Sequence, residues 1–97
     1  MNKRSNKYKL TLEQLQLANG DVGTAAPIQF EFENHDEVFG IIERIQNKNL
    51  FANEGDAQEF ALGLKLFSEV MLKNRDHVLF EELKPAFSSF MKRLKSL

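Results

Sequence analysis

Apolar and polar residues alternate strictly in two stretches of the N-terminal third. Tyr8, Leu10 and Leu12 oppose Lys7, Lys9, Thr11 and Glu13, while Ile28, Phe30 and Phe32 oppose Gln29, Glu31 and Glu33. Period two with aromatic and branched residues predicts half-buried strands over about 7–13 and 27–33. An antiparallel register sets Tyr8 beside Phe32, Leu10 beside Phe30 and Leu12 beside Ile28. On the other face it sets Lys7 beside Glu33 and Lys9 beside Glu31. A slip of one residue would turn one apolar set into solvent, so agreement on both faces selects this pairing. Asn19-Gly20, a strong two-residue turn signal, falls at the midpoint the register demands. Leu15 and Leu17 change parity relative to Leu10 and Leu12, which points to a bulge or strand end near Glu13-Gln14. Thr24 to Pro27 reads as loop.

Beyond residue 33 the period lengthens to that of a helix. Asn34 with Glu37 three positions on resembles a capping box and predicts a helix over about 35–48. Val38, Ile41, Ile42 and Ile45 form its buried stripe, with Phe39 widening it. Lys48 suits the negative end of the helix, Asn49 can take a left-handed stop, and Leu50 can fold back on the last turn. A second helix is expected over about 54–73, capped by Asn53. It carries two stripes, Phe60, Leu64, Phe67 and Met71 on one side and Leu62, Leu66 and Val70 on the other. Gly63 costs about 1 kcal/mol relative to alanine there, and close backbone approach would account for it. Pro85 cannot lie inside a continuous helix. The reading is therefore a short helical segment over 77–83, a break near Lys84 and a final helix over 85–95. The architecture is α+β, with an N-terminal antiparallel β-hairpin packed on three main helices. One domain spans 1–97, with 1–6 as a flexible tail.

Composition narrows the chemistry more than it reveals it. The chain has 97 residues, 42% hydrophobic and 28% charged, with a formal net charge of -1. That suffices for one modest core, and the nine phenylalanines are read as filling it. Cysteine is absent, which excludes disulfides, thiolate nucleophiles and cysteine metal sites. The apolar runs Val38 to Ile42 and Phe60 to Leu64 are far short of the roughly 20 residues of a membrane span. A cytoplasmic protein is expected. Charge is segregated: residues 1–9 are wholly basic, 31–59 strongly acidic and 60–97 net basic.

No catalytic, cofactor-binding or metal-binding residue is assigned. His35 and His77, beside Asp36 and Asp76, read as turn and helix-start residues rather than ligands of one ion. Asp36/Glu37 and Glu81/Glu82 are sequence neighbours that fan out around a helix and are not a preassembled acid–base pair. Ser68, Ser88 and Ser89 lack nucleophile-elbow glycines, and Gly20 and Gly23 lack a phosphate-loop lysine. Lys3, Arg4, Lys7 and Lys9, with Lys92, Arg93 and Lys95, could form a basic patch. Their expected strand partners and helix-end positions, with no basic pI, argue against nucleic acid.

Docking is better supported. A two-stranded sheet has two open edges, and the apolar arc of the second helix exceeds half its circumference. The candidate partner surface is Leu62, Leu66 and Val70 on the helix and Lys7, Lys9, Glu31 and Glu33 on the strands. The run Phe60-Ala61-Leu62-Gly63-Leu64-Lys65-Leu66-Phe67-Ser68-Glu69-Val70-Met71-Leu72, with Phe30 to Asp36 before it and Pro85-Ala86-Phe87 after it, resembles a bacterial family known as domain of unknown function 3861. The resemblance runs from Tyr8 onward. It implies a stand-alone α+β cytoplasmic domain and brings no activity, cofactor or site residue. The expected function is a non-enzymatic protein-interaction module, self-associating as a homo-oligomer or binding an unknown protein. Two alternatives stand beside it: a small-molecule binder or minor enzyme with a pocket between hairpin and helices, and a weak nucleic-acid binder through the basic termini.

Overall fold

A computed structural model describes residues 4–97. Residues 1–3, and with them Lys3 of the N-terminal basic cluster and part of the expected flexible tail, lie outside the described residues. Two antiparallel strands, β1 (Asn6–Leu12) and β2 (Ile28–Asn34), are followed by α1 (Val38–Asn47), α2 (Glu54–Lys73), a 3-10 turn (Val78–Phe80) and α3 (Leu83–Ser96). The chain divides into a unit of residues 1–37 and a unit of residues 38–97. No helix among the described residues is long and apolar enough to cross a membrane.

In the first unit the strands pair in the expected register, Lys7 opposite Glu33, Tyr8 opposite Phe32 and Leu12 opposite Ile28, each strand displaced by one residue from its expected bounds. Tyr8 and Phe32 stack at 5.3 Å, the cross-strand aromatic pairing that holds a register. Past Leu12 the ladder stops. A smaller turn continues it, with a bridge between Gln16 and Val22 and the Leu17 amide donating to the Asp21 carbonyl at 2.8 Å. Gly20, at φ +96°, occupies its tip, where a side chain would be strained. The irregularity expected at Glu13-Gln14 is shared with the returning strand: the Gln14 side-chain oxygen accepts from the Thr24 and Ala25 amides. Gly23 lies so close to the Gln14 backbone carbonyl that a Cβ there would collide with it.

Asn34 departs from its expected role. It ends β2, is 1% exposed, and its Oδ1 accepts from the Asp36 amide at 2.9 Å. It therefore closes a turn at the strand end instead of capping a helix, and α1 begins at Val38 rather than 35. The side chain satisfies the amide two residues on, and residues 35–37 are consumed in leaving the strand.

In the second unit α1 buries Val38 and Ile45 and half-buries Ile41 and Ile42. Phe39, expected to widen that stripe, is 69% exposed, about 100° round the helix from Val38. Asn49 at φ 54° ends the helix as expected, and Leu50 folds onto the core of Ile45, Ala57, Ala61 and Leu94. Asn53 caps α2 by accepting from the Gly55 amide at 2.8 Å. Ala57 and Ala61 of α2 lie in the buried cluster with Ile45 of α1. The large rings are displaced to the rim: of the nine phenylalanines only Phe80 is buried, while Phe51, Phe67 and Phe90 are each about 40% exposed. The core-filling expectation is thus corrected. Rings meet edge to face along α2 and α3, Phe60 with Phe90 and Phe67 with Phe87.

Pro85 is accommodated differently from expectation. The break falls at Glu81-Glu82, and α3 opens at Leu83 with Pro85 in its first turn, where the missing amide would have had no helical acceptor. The short segment over 77–83 contracts to three residues. Gly63 also departs from its expected role, since nothing lies within 4 Å of a Cβ built on it. No close approach explains the glycine, so Gly63→Ala is expected to add about 1 kcal/mol of stability. A raised urea midpoint with unchanged slope is the readout, and a lowered midpoint would show a hidden contact.

Candidate functional site

The hairpin presents two chemically distinct faces. On the polar face Lys7 pairs diagonally with Glu31 at 3.6 Å, both well exposed, while its direct partner Glu33 accepts from the Ser5 hydroxyl at 2.8 Å. An exposed pair of this kind contributes little stability. Its position matters more, because charges on both strands discourage edge-to-edge pairing with a like strand. Lys7 and Lys9 on β1 would face lysines of a second β1, and Glu31 and Glu33 on β2 would face glutamates of a second β2.

The apolar face is graded along its length. Tyr8, Leu10 and Phe32 are half-buried, and the Tyr8 hydroxyl donates to the Glu37 carboxylate at 2.8 Å. Towards the turn the same face opens: Phe30 is 45% exposed, and the cross-strand pair Leu12 and Ile28 is 63% and 59% exposed. The sequence pattern locates this face. It gives no signal that its distal half is open, because alternation reports which side a residue points to and not what covers it.

On α2 the candidate residues separate. Leu62 and Leu66 are half-buried, and Val70 is 49% exposed. The last helix meets the other stripe through Phe60 and Phe67.

The polar candidates occupy local structural roles. His77 Nδ1 accepts from the Leu79 amide at 3.0 Å and opens the 3-10 turn, as expected of a cap. His35 lies 4.0 Å from Asp36, both exposed. Among the described residues no three His, Asp or Glu side chains are grouped to hold a metal ion. Ser68 and Ser96 donate to carbonyls of their own helices, and Lys48 donates to the Leu97 carbonyl at 2.8 Å. A recess of about 270 Å³ between the end of α1 and the start of α2 is lined by Gln46, Asn49, Leu50 and Asn53 among others. An open depression of about 310 Å³ is lined by Phe51, Asp56, Glu59 and Phe60.

An antiparallel hairpin followed by three helices and a 3-10 turn, with apolar side chains left open on both units, defines a small α+β domain. Residues 6–96 match the family described as a domain of unknown function with a solved structure, DUF3861, and the chain belongs to that family. Among solved structures it is similar to a protein of unknown function from Pectobacterium atrosepticum, at 34% identity and a TM-score of 0.82 over 97% of this chain and 100% of that one. Among curated proteins none matches.

Proposed function

We propose that the chain is a non-enzymatic protein-interaction module of the cytoplasm, working in an assembly with a partner protein seated on the distal face of the hairpin and a second copy of itself as another member. The observation that carries this is the run of Leu12, Ile28 and Phe30, adjacent on one sheet face and all close to or above half exposed. Burying such side chains is worth about 1.5–3 kcal/mol each relative to leaving them in water. Contiguous open apolar area of this kind marks contact surfaces.

A paired substitution tests it. Leu12→Glu with Ile28→Lys removes the apolar pair and leaves opposite charges directly across the ladder, so the hairpin keeps a favourable cross-strand pair. Affinity capture from the native cytoplasm is expected to retain a stoichiometric protein with the unaltered chain and lose it with the variant, at unchanged far-ultraviolet circular dichroism. Equal retention by both, or retention by neither, would overturn the reading of the hairpin.

A further inference from the structure

The N-terminal half of α2 and the C-terminal half of α3 share an aromatic strip. Phe51 meets Phe60 at 5.5 Å, and Phe60 meets Phe90 at 6.1 Å; Phe51 is 40% and Phe90 42% exposed. Ala57 and Leu94 lie in one buried cluster, which sets these two helix halves side by side. On the α2 side, Asp56 and Glu59 line an open depression together with Phe51 and Phe60. On the α3 side, Arg93 stands exposed one turn beyond Phe90. Among the described residues Asp56, Glu59 and Arg93 take part in no ion pair.

We infer that this strip is a two-fold interface with a second copy of the chain, in which the aromatic rings of the two copies meet and Arg93 of each reaches Asp56 and Glu59 of the other. This rests on the reading of the chain as an interaction module, and it identifies where the second copy sits. The acidic pair stands on α2 and the arginine on α3, the two helices whose rings Phe60 and Phe90 meet. A two-fold axis through the Phe60–Phe90 contact turns the basic side of one copy onto the acidic side of the other, the self-complementarity a symmetric dimer requires. A partner segment of one sign would meet like charge on one side of the strip, at a cost in binding. Exposed aromatic rings with an arginine are also the residue types that dominate contact energies.

Sedimentation equilibrium of the full chain, with circular dichroism to verify folding, tests this. The unaltered chain is expected to dimerise. Glu59→Arg and Arg93→Glu are each expected to weaken the dimer at least about tenfold, because each brings like charges together across the axis. The double variant restores opposite charges and is expected to recover all but a few-fold of the affinity. A chain that stays monomeric at about 100 µM would overturn the inference. So would a dimer indifferent to the single changes, or one that the double variant fails to restore. The hairpin reading is judged by its own capture experiment and survives each of these failures.

Discussion

Replacing Ile45 by alanine is expected to lower the thermal midpoint by roughly 8–40 °C. Ile45 is 5% exposed and packs with Ala57, Ala61 and Leu94, with Ile41, Ile42, Leu50 and Met91 around them. Large-to-small changes at such positions cost about 2–5 kcal/mol, through lost transfer energy and the cavity left behind. The site has little means of collapse, because Ala57 and Ala61 have no side-chain reach to fill the space. For a domain of this length each kcal/mol displaces the midpoint by about 4–8 °C. Total stabilities of small domains are typically about 5–15 kcal/mol, so one substitution removes a large share. Circular dichroism melting is the measurement. A fall of less than about 4 °C would mean that the α1–α2 contact is not the centre of the helical unit's stability.

The second large effect is expected at Asn34, whose variant Asn34→Asp should be destabilised by several kcal/mol at pH 7 and far less at pH 4. Asn34 is 1% exposed, and its Nδ2 finds no hydrogen-bond partner among the described residues. The substitution removes that unsatisfied donor and keeps an oxygen for the Asp36 amide, which by itself would be favourable. It also introduces a carboxylate where water is excluded, and burial penalises the charged form. The folded carboxyl therefore holds its proton to higher pH than the unfolded one, whose ordinary value is about 3.9. Below that value both states are protonated and the penalty is absent. It grows as pH rises towards the higher folded value and is complete above it. The Asp36 carboxylate two residues on acts in the same direction. Urea titrations at the two pH values measure the difference. Equal destabilisation at both would show that the charge, once introduced, is solvated.

The register of β1 and β2 was legible because two faces had to agree at once, apolar with apolar and Lys7 and Lys9 with Glu33 and Glu31. Asn49 as a left-handed helix stop and His77 as a cap were legible for a similar reason. A short polar side chain beside a helix end has few local options, and all of them lie within a few residues. Asn34 shows where that argument fails. It had two local partners in reach, and the exit from the strand selected Asp36 over a helical amide.

Periodicity misjudged Gly63 and the phenylalanines because both depend on what approaches from elsewhere. A glycine in a helix signals room for a neighbour, and no neighbour occupies it here. Phe39 and Phe90 sit on or near apolar stripes, yet both are left exposed, because the buried cluster is made of Ile45, Ala57, Ala61 and Leu94. The exposure of Leu12, Ile28 and Phe30 is likewise not encoded in the alternation, because it depends on what covers the sheet face.

What the sequence by itself determined was local: the order and type of the elements, the strand pairing, the caps, and the absence of thiol chemistry. These follow from spacing, side-chain reach and composition, which act over a few residues or between two neighbouring strands. The tertiary structure alone decided which apolar residues are core and which remain open. It also decided that Asp56 and Glu59 of α2 line one depression with Phe51 and Phe60. Those outcomes depend on which residues distant in sequence meet in the buried cluster of Ile45, Ala57, Ala61 and Leu94, and spacing along one element does not encode that.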